Sequence, residues 1–276
     1  MSENHLAILG GGNMGRALIG GLLRRGTRPE HIRVGEHLEG ARAALSRDFG
    51  ILADEDNTAA VQTASLVVIA VKPQDARSVV EPLRAMLQRT RPVVVSIVAG
   101  VRLAALQSWC GAGVAVVRAM PNRPALIGMG ATGLYAPDSV TAAQRETAQR
   151  AMQAVGEIVW LASEELLDVV TALSGSGPAY FFLLAELLTQ AAVGLGLEPA
   201  TAQRLALATL QGSGQLAASG DGDFVRLRKE VTSKGGTTEA AVRVFDAVDL
   251  RGIVARAVDA AAVRSRELAT QFGAER

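Results

Sequence analysis

The stretch His5-Leu6-Ala7-Ile8-Leu9-Gly10-Gly11-Gly12-Asn13-Met14-Gly15-Arg16-Ala17-Leu18-Ile19 decides the fold. Its apolar start has the length of a buried strand. Gly10, Gly12 and Gly15 then keep the spacing G-x-G-x-x-G ahead of a segment with helical periodicity, Met14 to Gly26. The first glycine permits a tight turn, the second lets the backbone approach a pyrophosphate, and the third permits close packing of helix on strand. The helix start at Asn13 and Met14 offers free N–H groups to phosphate. The triplet alone is weak evidence, but the strand before it and the helix after it supply the context that a dinucleotide-binding turn requires.

Further along the chain the same alternation repeats. Short β-branched runs at residues 31–36 (HIRVGE), 65–71 (SLVVIAV), 92–100 (PVVVSIVAG) and 114–120 (VAVVRAM) are bounded by Gly, Pro or polar residues, as buried parallel strands are. Helical patterns lie between them, as at Asp75 to Gln88. A further strand is expected near Thr132 and a helix over Ala142 to Val155. The fold class is therefore α/β, an N-terminal Rossmann-type doubly wound sheet. After Ser163 strands all but vanish. Glu164 to Leu173, Pro178 to Leu195, Pro199 to Ala218, Thr237 to Val248 and Leu250 to Phe272 are predicted helices, separated at SGSGP, GLEP, SGDGD and SKGG. We expect a dinucleotide-binding domain over residues 1–162 and an all-helical domain over 163–276. Segments such as AELLTQAAVGLG, residues 185–196, are apolar on more than one face, so a homodimer built on this domain is the natural way to bury them, a compact monomer being the alternative.

Composition narrows the function. With 276 residues, a formal charge of +1 and no dense basic stretch, the chain gives no electrostatic sign of a nucleic-acid partner. A single cysteine, Cys110, excludes an intrachain disulfide, and His5, His31 and His37 lack the spacing of paired metal ligands, so no metal is expected. The N-terminus lacks the pattern of a secretory signal, and the most apolar runs, such as Leu66 to Val71, are too short to span a bilayer. These features predict a cytoplasmic protein without a membrane partner.

In a dinucleotide-binding domain the ribose reader sits at the end of the second strand, about twenty residues beyond the glycines. Glu36 occupies that position. A carboxylate accepts hydrogen bonds from ribose hydroxyls and repels a 2′-phosphate, so Glu36 leans toward NADH over NADPH. His37 and Arg42 would reverse this if Glu36 turned aside. Ala70, Val71, Lys72 and Pro73 close one strand and Ala99 follows another. Strand ends border the ligand crevice of an open parallel sheet, where the nicotinamide half of the cofactor would lie. Lys72 is equally readable as an ordinary exposed lysine beside a proline turn.

GGGNMG, AVKP (residues 70–73), VRAMPNRPA (117–125), LSGSGPAY (173–180) and VTSKGGTTEAAV (231–242) together resemble the pyrroline-5-carboxylate reductase family, nearly end to end. The resemblance implies NAD(P)H-dependent reduction of 1-pyrroline-5-carboxylate to L-proline. It also implies a helical dimerisation domain with interlaced subunits, and assembly as a homodimer or a larger ring of dimers. In the family the glycine-threonine loop binds the substrate carboxylate. That role falls here on Ser233, Gly235, Gly236, Thr237 and Thr238, and hydroxyls beside a helix N-terminus suit it.

Thr238 is the candidate for orienting or relaying the proton to the imine nitrogen. Glu164 matches a position that approaches the substrate, or else is a first-turn acid complementing the helix dipole. Met120, Pro121 and Asn122 should line the crevice, with Asn122 on the cofactor carboxamide or a water. Gly175, Ser176, Gly177 and Pro178 either approach a ligand or form a packing kink. Lys234 stands where the family loop commonly has proline, and Arg123 where MPN is commonly followed by threonine. Both changes bear on substrate identity. A β-hydroxyacid dehydrogenase would want a catalytic lysine on a long helix of the second domain, and Lys229 and Lys234 lie in or beside the loop instead.

Overall fold

A computed structural model describes residues 5–274. The chain alternates β1 (His5–Leu9), α1 (Asn13–Arg24), β2 (Ile32–Gly35), α2 (Glu39–Phe49), β3 (Leu52–Asp54), α3 (Asn57–Val61), β4 (Ala64–Ile69), α4 (Ala76–Val80), α5 (Arg84–Thr90), β5 (Val93–Ser96), α6 (Leu103–Cys110), β6 (Ala115–Met120), β7 (Gly130–Tyr135), α7 (Ala142–Gln153) and β8 (Gly156–Trp160). The strands form one sheet in the order β3-β2-β1-β4-β5-β6-β7-β8. All neighbours run parallel except β6 and β7, which are antiparallel.

Alternation of side chains across each strand gives the sheet two cores. Leu6 and Ile8 of β1 pack with Leu18, Ile19 and Leu45 on one face, while Ala7 and Leu9 pack with Val61, Val80, Leu87 and Leu106 on the other. Ile8, Leu18, Ile19 and Leu45 are almost fully buried. Each such side chain contributes roughly 2 kcal/mol of transfer free energy.

Register aligns the strand ends. Leu9 pairs with Gly35 and Ile69, and Ile69 with Ser96, so Gly10, Glu36, Ala70 and Ile97 emerge along one edge of the sheet. The chain leaves β1 for β2 on one side and reaches β4 on the other. This is the switch point where open α/β sheets bind ligands.

The helices that follow are α8 (Leu166–Val170), α9 (Gly177–Gly194), α10 (Pro199–Ala218), α11 (Phe224–Glu230), α12 (Thr237–Ala247) and α13 (Leu250–Ala274), with a π-helical turn over Thr171–Gly175. Glu198 and Asp223 cap α10 and α11 through backbone N–H groups. By contacts the chain divides into one unit that runs to Gly175 and includes the chain from Ala261 on, and a second unit, Ser176–Ala260.

One sequence expectation is corrected. The helix expected over Asp75 to Gln88 is split by a 3₁₀ turn, Glu81–Leu83, with Pro82 near its start. The break expected at SGSGP falls at Ser176, between the π-turn and α9, and taken across it the run Leu166–Gly194 has the length and apolarity to cross a membrane. That property rests on length and composition alone. In the single chain Phe181, Phe182, Leu184, Leu187 and Leu188 of α9 are exposed. Contiguous exposed apolar surface of this kind marks an interaction face.

Candidate active site

The three glycines of the first turn meet three different surroundings. Gly10 has φ +106°, and a Cβ there would sit 2.7 Å from the carbonyl oxygen of Ala70. Gly15 has no room either, since a Cβ would run into the Gly10 carbonyl. Gly12 faces open space and starts α1 without any side-chain cap. The free N–H groups of α1 therefore open onto a cleft of about 510 Å³. Gly10, Gly12, Glu36, Ala70, Val71 and Lys72 are among its lining residues. Turn, packing and open approach together fit a dinucleotide pyrophosphate.

At the end of β2, Glu36 is buried, and its Oε2 accepts from Gly11 N at 2.8 Å. Its Oε1 accepts from Leu38 N at 2.9 Å. Arg42 donates to the carbonyl oxygens of Glu36 and His37, both at 2.8 Å. Arg42 thus braces the strand end through Nη1, and its Nη2 lies 3.5 Å from Glu55 Oε2. Lys72 is exposed and Pro73 opens a short 3₁₀ turn behind it. Ala99 is exposed beyond β5.

Asn57 also lines the cleft, and its Oδ1 fills the space that a Cβ on Gly35 would need. Sequence reasoning missed Asn57. The signal was Asp56, a helix-capping residue directly before a short helical run.

Two other expected site residues are engaged within the first unit. Glu164 Oε1 accepts from Arg118 Nη1 and from Leu103 N, each at 2.6 Å. Burial pulls the Arg118 guanidinium down from its usual range, and the bond to Glu164 opposes that shift. Beside this pair Arg102 meets Asp168 at 2.7 Å, and Ser265 of α13 donates to the other Asp168 oxygen at 2.7 Å. Asn122 takes a hydrogen bond from Ala131 N at 2.9 Å and donates to the Ser174 carbonyl at 3.0 Å. Its amide holds the π-turn against the end of β6. Arg123 is exposed at the start of the following 3₁₀ turn.

The loop Ser233–Thr238 leads into α12. Gly235 has φ +73°, and Gly236 caps α12 with no side-chain hydrogen bond. Glu239, three residues after the cap, accepts from Gly235 N at 2.8 Å and pairs with Arg243 at 3.2 Å. The start of α12 thus takes no side-chain acceptor from its cap residue, and Thr237 and Thr238 open the helix. Thr238 is half-buried, and Ser233 and Lys234 are exposed.

Cys110 offers no nucleophile, because burial pushes its thiol up to about 12. Among the described residues no group of three or more His, Cys, Asp or Glu side chains is placed to hold a metal ion.

A switch point built for a dinucleotide, followed by a helical region with unpartnered apolar faces, places the chain among NAD(P)H-dependent oxidoreductases. Residues 5–100 match the family described as NADP oxidoreductase coenzyme F420-dependent, and residues 164–268 match pyrroline-5-carboxylate reductase dimerisation. The chain belongs to the pyrroline-5-carboxylate reductase family. It is 45% identical to the pyrroline-5-carboxylate reductase of Pseudomonas aeruginosa, over 99% of this chain and all of that one. A solved pyrroline-5-carboxylate reductase from Coxiella burnetii superposes with a TM-score of 0.93 at 38% identity, covering 96% of this chain and 98% of its own. The Plasmodium falciparum enzyme, solved with NADP bound, gives a TM-score of 0.83 at 26% identity, covering 98% and 99%.

Proposed function

We infer that this protein reduces 1-pyrroline-5-carboxylate to L-proline with NAD(P)H, the last step of proline biosynthesis. The observation that carries this reading is the end-to-end relationship to the Pseudomonas enzyme. When bound, the dihydronicotinamide supplies the hydride that reduces the imine carbon. The chain's own residues bind, orient and deliver a proton. Gly10, Gly12, Asn13, Met14 and Gly15 hold the pyrophosphate, and Ala70, Val71, Lys72, Pro73 and Ala99 line the way toward the nicotinamide. Glu36 reads the adenosine ribose and favours NADH.

Ser233, Gly235, Gly236, Thr237 and Thr238 clamp the substrate carboxylate, supported by the uncapped start of α12. Thr238 passes the proton toward the ring nitrogen. Glu164 approaches the substrate and Asn122 the cofactor, each held within the first unit, Glu164 by Arg118 and Asn122 by the π-turn. Residues 1–162 supply the cofactor domain and 163–276 the substrate-binding and dimerisation domain.

The protein works as a homodimer or a ring of dimers in the cytoplasm, with a small-molecule substrate and neither nucleic acid nor membrane as partner. The exposed face of α9 is covered by a second copy. Leu184→Asp combined with Leu188→Asp is expected to leave a monomer in light scattering; an unchanged oligomer would place the interface elsewhere. For the reaction itself, purified protein given 1-pyrroline-5-carboxylate should oxidise NADH with formation of proline. Absence of turnover with both NADH and NADPH would refute the assignment.

A further inference from the structure

The turn that receives the phosphates is tied down from below by the same side chain that selects the ribose. Glu36 is only 8% exposed, and its two oxygens each accept a backbone N–H, Oε2 from Gly11 at 2.8 Å and Oε1 from Leu38 at 2.9 Å. Gly11 lies between Gly10, whose φ of +106° suits glycine, and the open Gly12. A Cβ on Gly11 would meet Leu45 Cδ1 at 2.6 Å and Glu36 Oε2 at 3.2 Å, so this part of the turn is seated directly on α2 and on the carboxylate. With the Gly11 N–H turned inward, the N–H groups from Gly12 onward remain for the cofactor.

We propose that Glu36 preorganises the phosphate-binding turn before any cofactor arrives, and that preference for NADH is therefore coupled to the rigidity of that turn. The coupling rests on the reading of Glu36 as the ribose selector. Its physical basis is that charge-assisted bonds hold the carboxylate where it is. A 2′-phosphate brings about −1.5 to −2 charges. Glu36 can move out of its way only by releasing both N–H groups, which frees the turn that binds the pyrophosphate. Arg42 is anchored through Nη1 to the carbonyl oxygens of Glu36 and His37, and its Nη2 lies 3.5 Å from Glu55 Oε2, which limits the compensation it offers. Substitution at Glu36 consequently changes selectivity by weakening NADH rather than by gaining NADPH.

The test uses Glu36→Gln and Glu36→Ser in the full chain. Amide hydrogen exchange at Gly11 is followed in the cofactor-free protein, and NADH and NADPH affinities are measured by fluorescence titration. Both variants are expected to speed exchange at Gly11 by about tenfold or more, with the amides inside β1 unchanged, and to weaken NADH by about tenfold. The NADPH-to-NADH affinity ratio should rise in Glu36→Ser without tighter absolute binding of NADPH. Unchanged exchange at Gly11 overturns the preorganisation, whatever happens to selectivity. Faster exchange with an unchanged cofactor ratio supports the preorganisation and overturns the ribose reading, and with it the coupling. Tighter absolute binding of NADPH in Glu36→Ser overturns the coupling alone.

Discussion

Thr238→Ala lowers kcat by about 10²-fold while the affinity for NADH stays within about twofold. The side chain sits in the first turn of α12, after a glycine cap that makes no side-chain hydrogen bond. Removing the hydroxyl leaves the backbone N–H groups at the helix start intact, so much of the carboxylate attraction survives. What is lost is the hydroxyl that we propose orients or relays a proton to the imine nitrogen. Thr238→Ser keeps the hydroxyl and should recover most of the rate. If Thr238→Ala instead raised only KM for the imine, with kcat unchanged, the hydroxyl would be a carboxylate ligand and not the proton route.

Glu164→Ala is expected to destabilise the protein by about 3 kcal/mol, read as a lower midpoint in urea at fixed protein concentration. Arg118 is 8% exposed on its side chain and meets Glu164 at 2.6 Å, so removing the carboxylate leaves a buried guanidinium without its closest charge. The double substitution Arg118→Met with Glu164→Leu should regain most of that loss, because it removes both charges together. Glu164→Gln separates this role from direct substrate contact. A large rise in KM for 1-pyrroline-5-carboxylate with unaltered stability would return Glu164 to the substrate site.

The parts of the fold and site that depend on neighbours in sequence are legible from the sequence. Gly10, Gly12 and Gly15 lie within one turn and are read from their spacing together with the strand before and the helix after; Gly235 to Thr238 lie within another, whose role the family resemblance implies. The buried strands are equally plain, because Val67 to Ile69 and Val93 to Val95 present apolar side chains to both faces. β8 is not, since as an edge strand it leaves Glu157 and Val159 exposed and its apolar run, Ile158 to Trp160, is short. The roles of Glu164 and Asn122 are hidden for a different reason. Their partners Arg118 and Ser174 lie 46 and 52 residues away, and no local pattern reports a pairing at that range. The brace from Glu36 to Gly11 spans 25 residues. Topology predicts that Glu36 stands at the cleft, but only the folded chain reveals that its carboxylate already holds the turn.

The most direct test is to follow the hydrogen itself. Purified protein is incubated with 1-pyrroline-5-carboxylate and NADH carrying deuterium at C4, on one face and then on the other, and the proline formed is examined by mass spectrometry and NMR. We expect deuterium at C5 of L-proline from one of the two labelled cofactors and not from the other. Proline without deuterium from both, or no proline at all, would contradict the assignment.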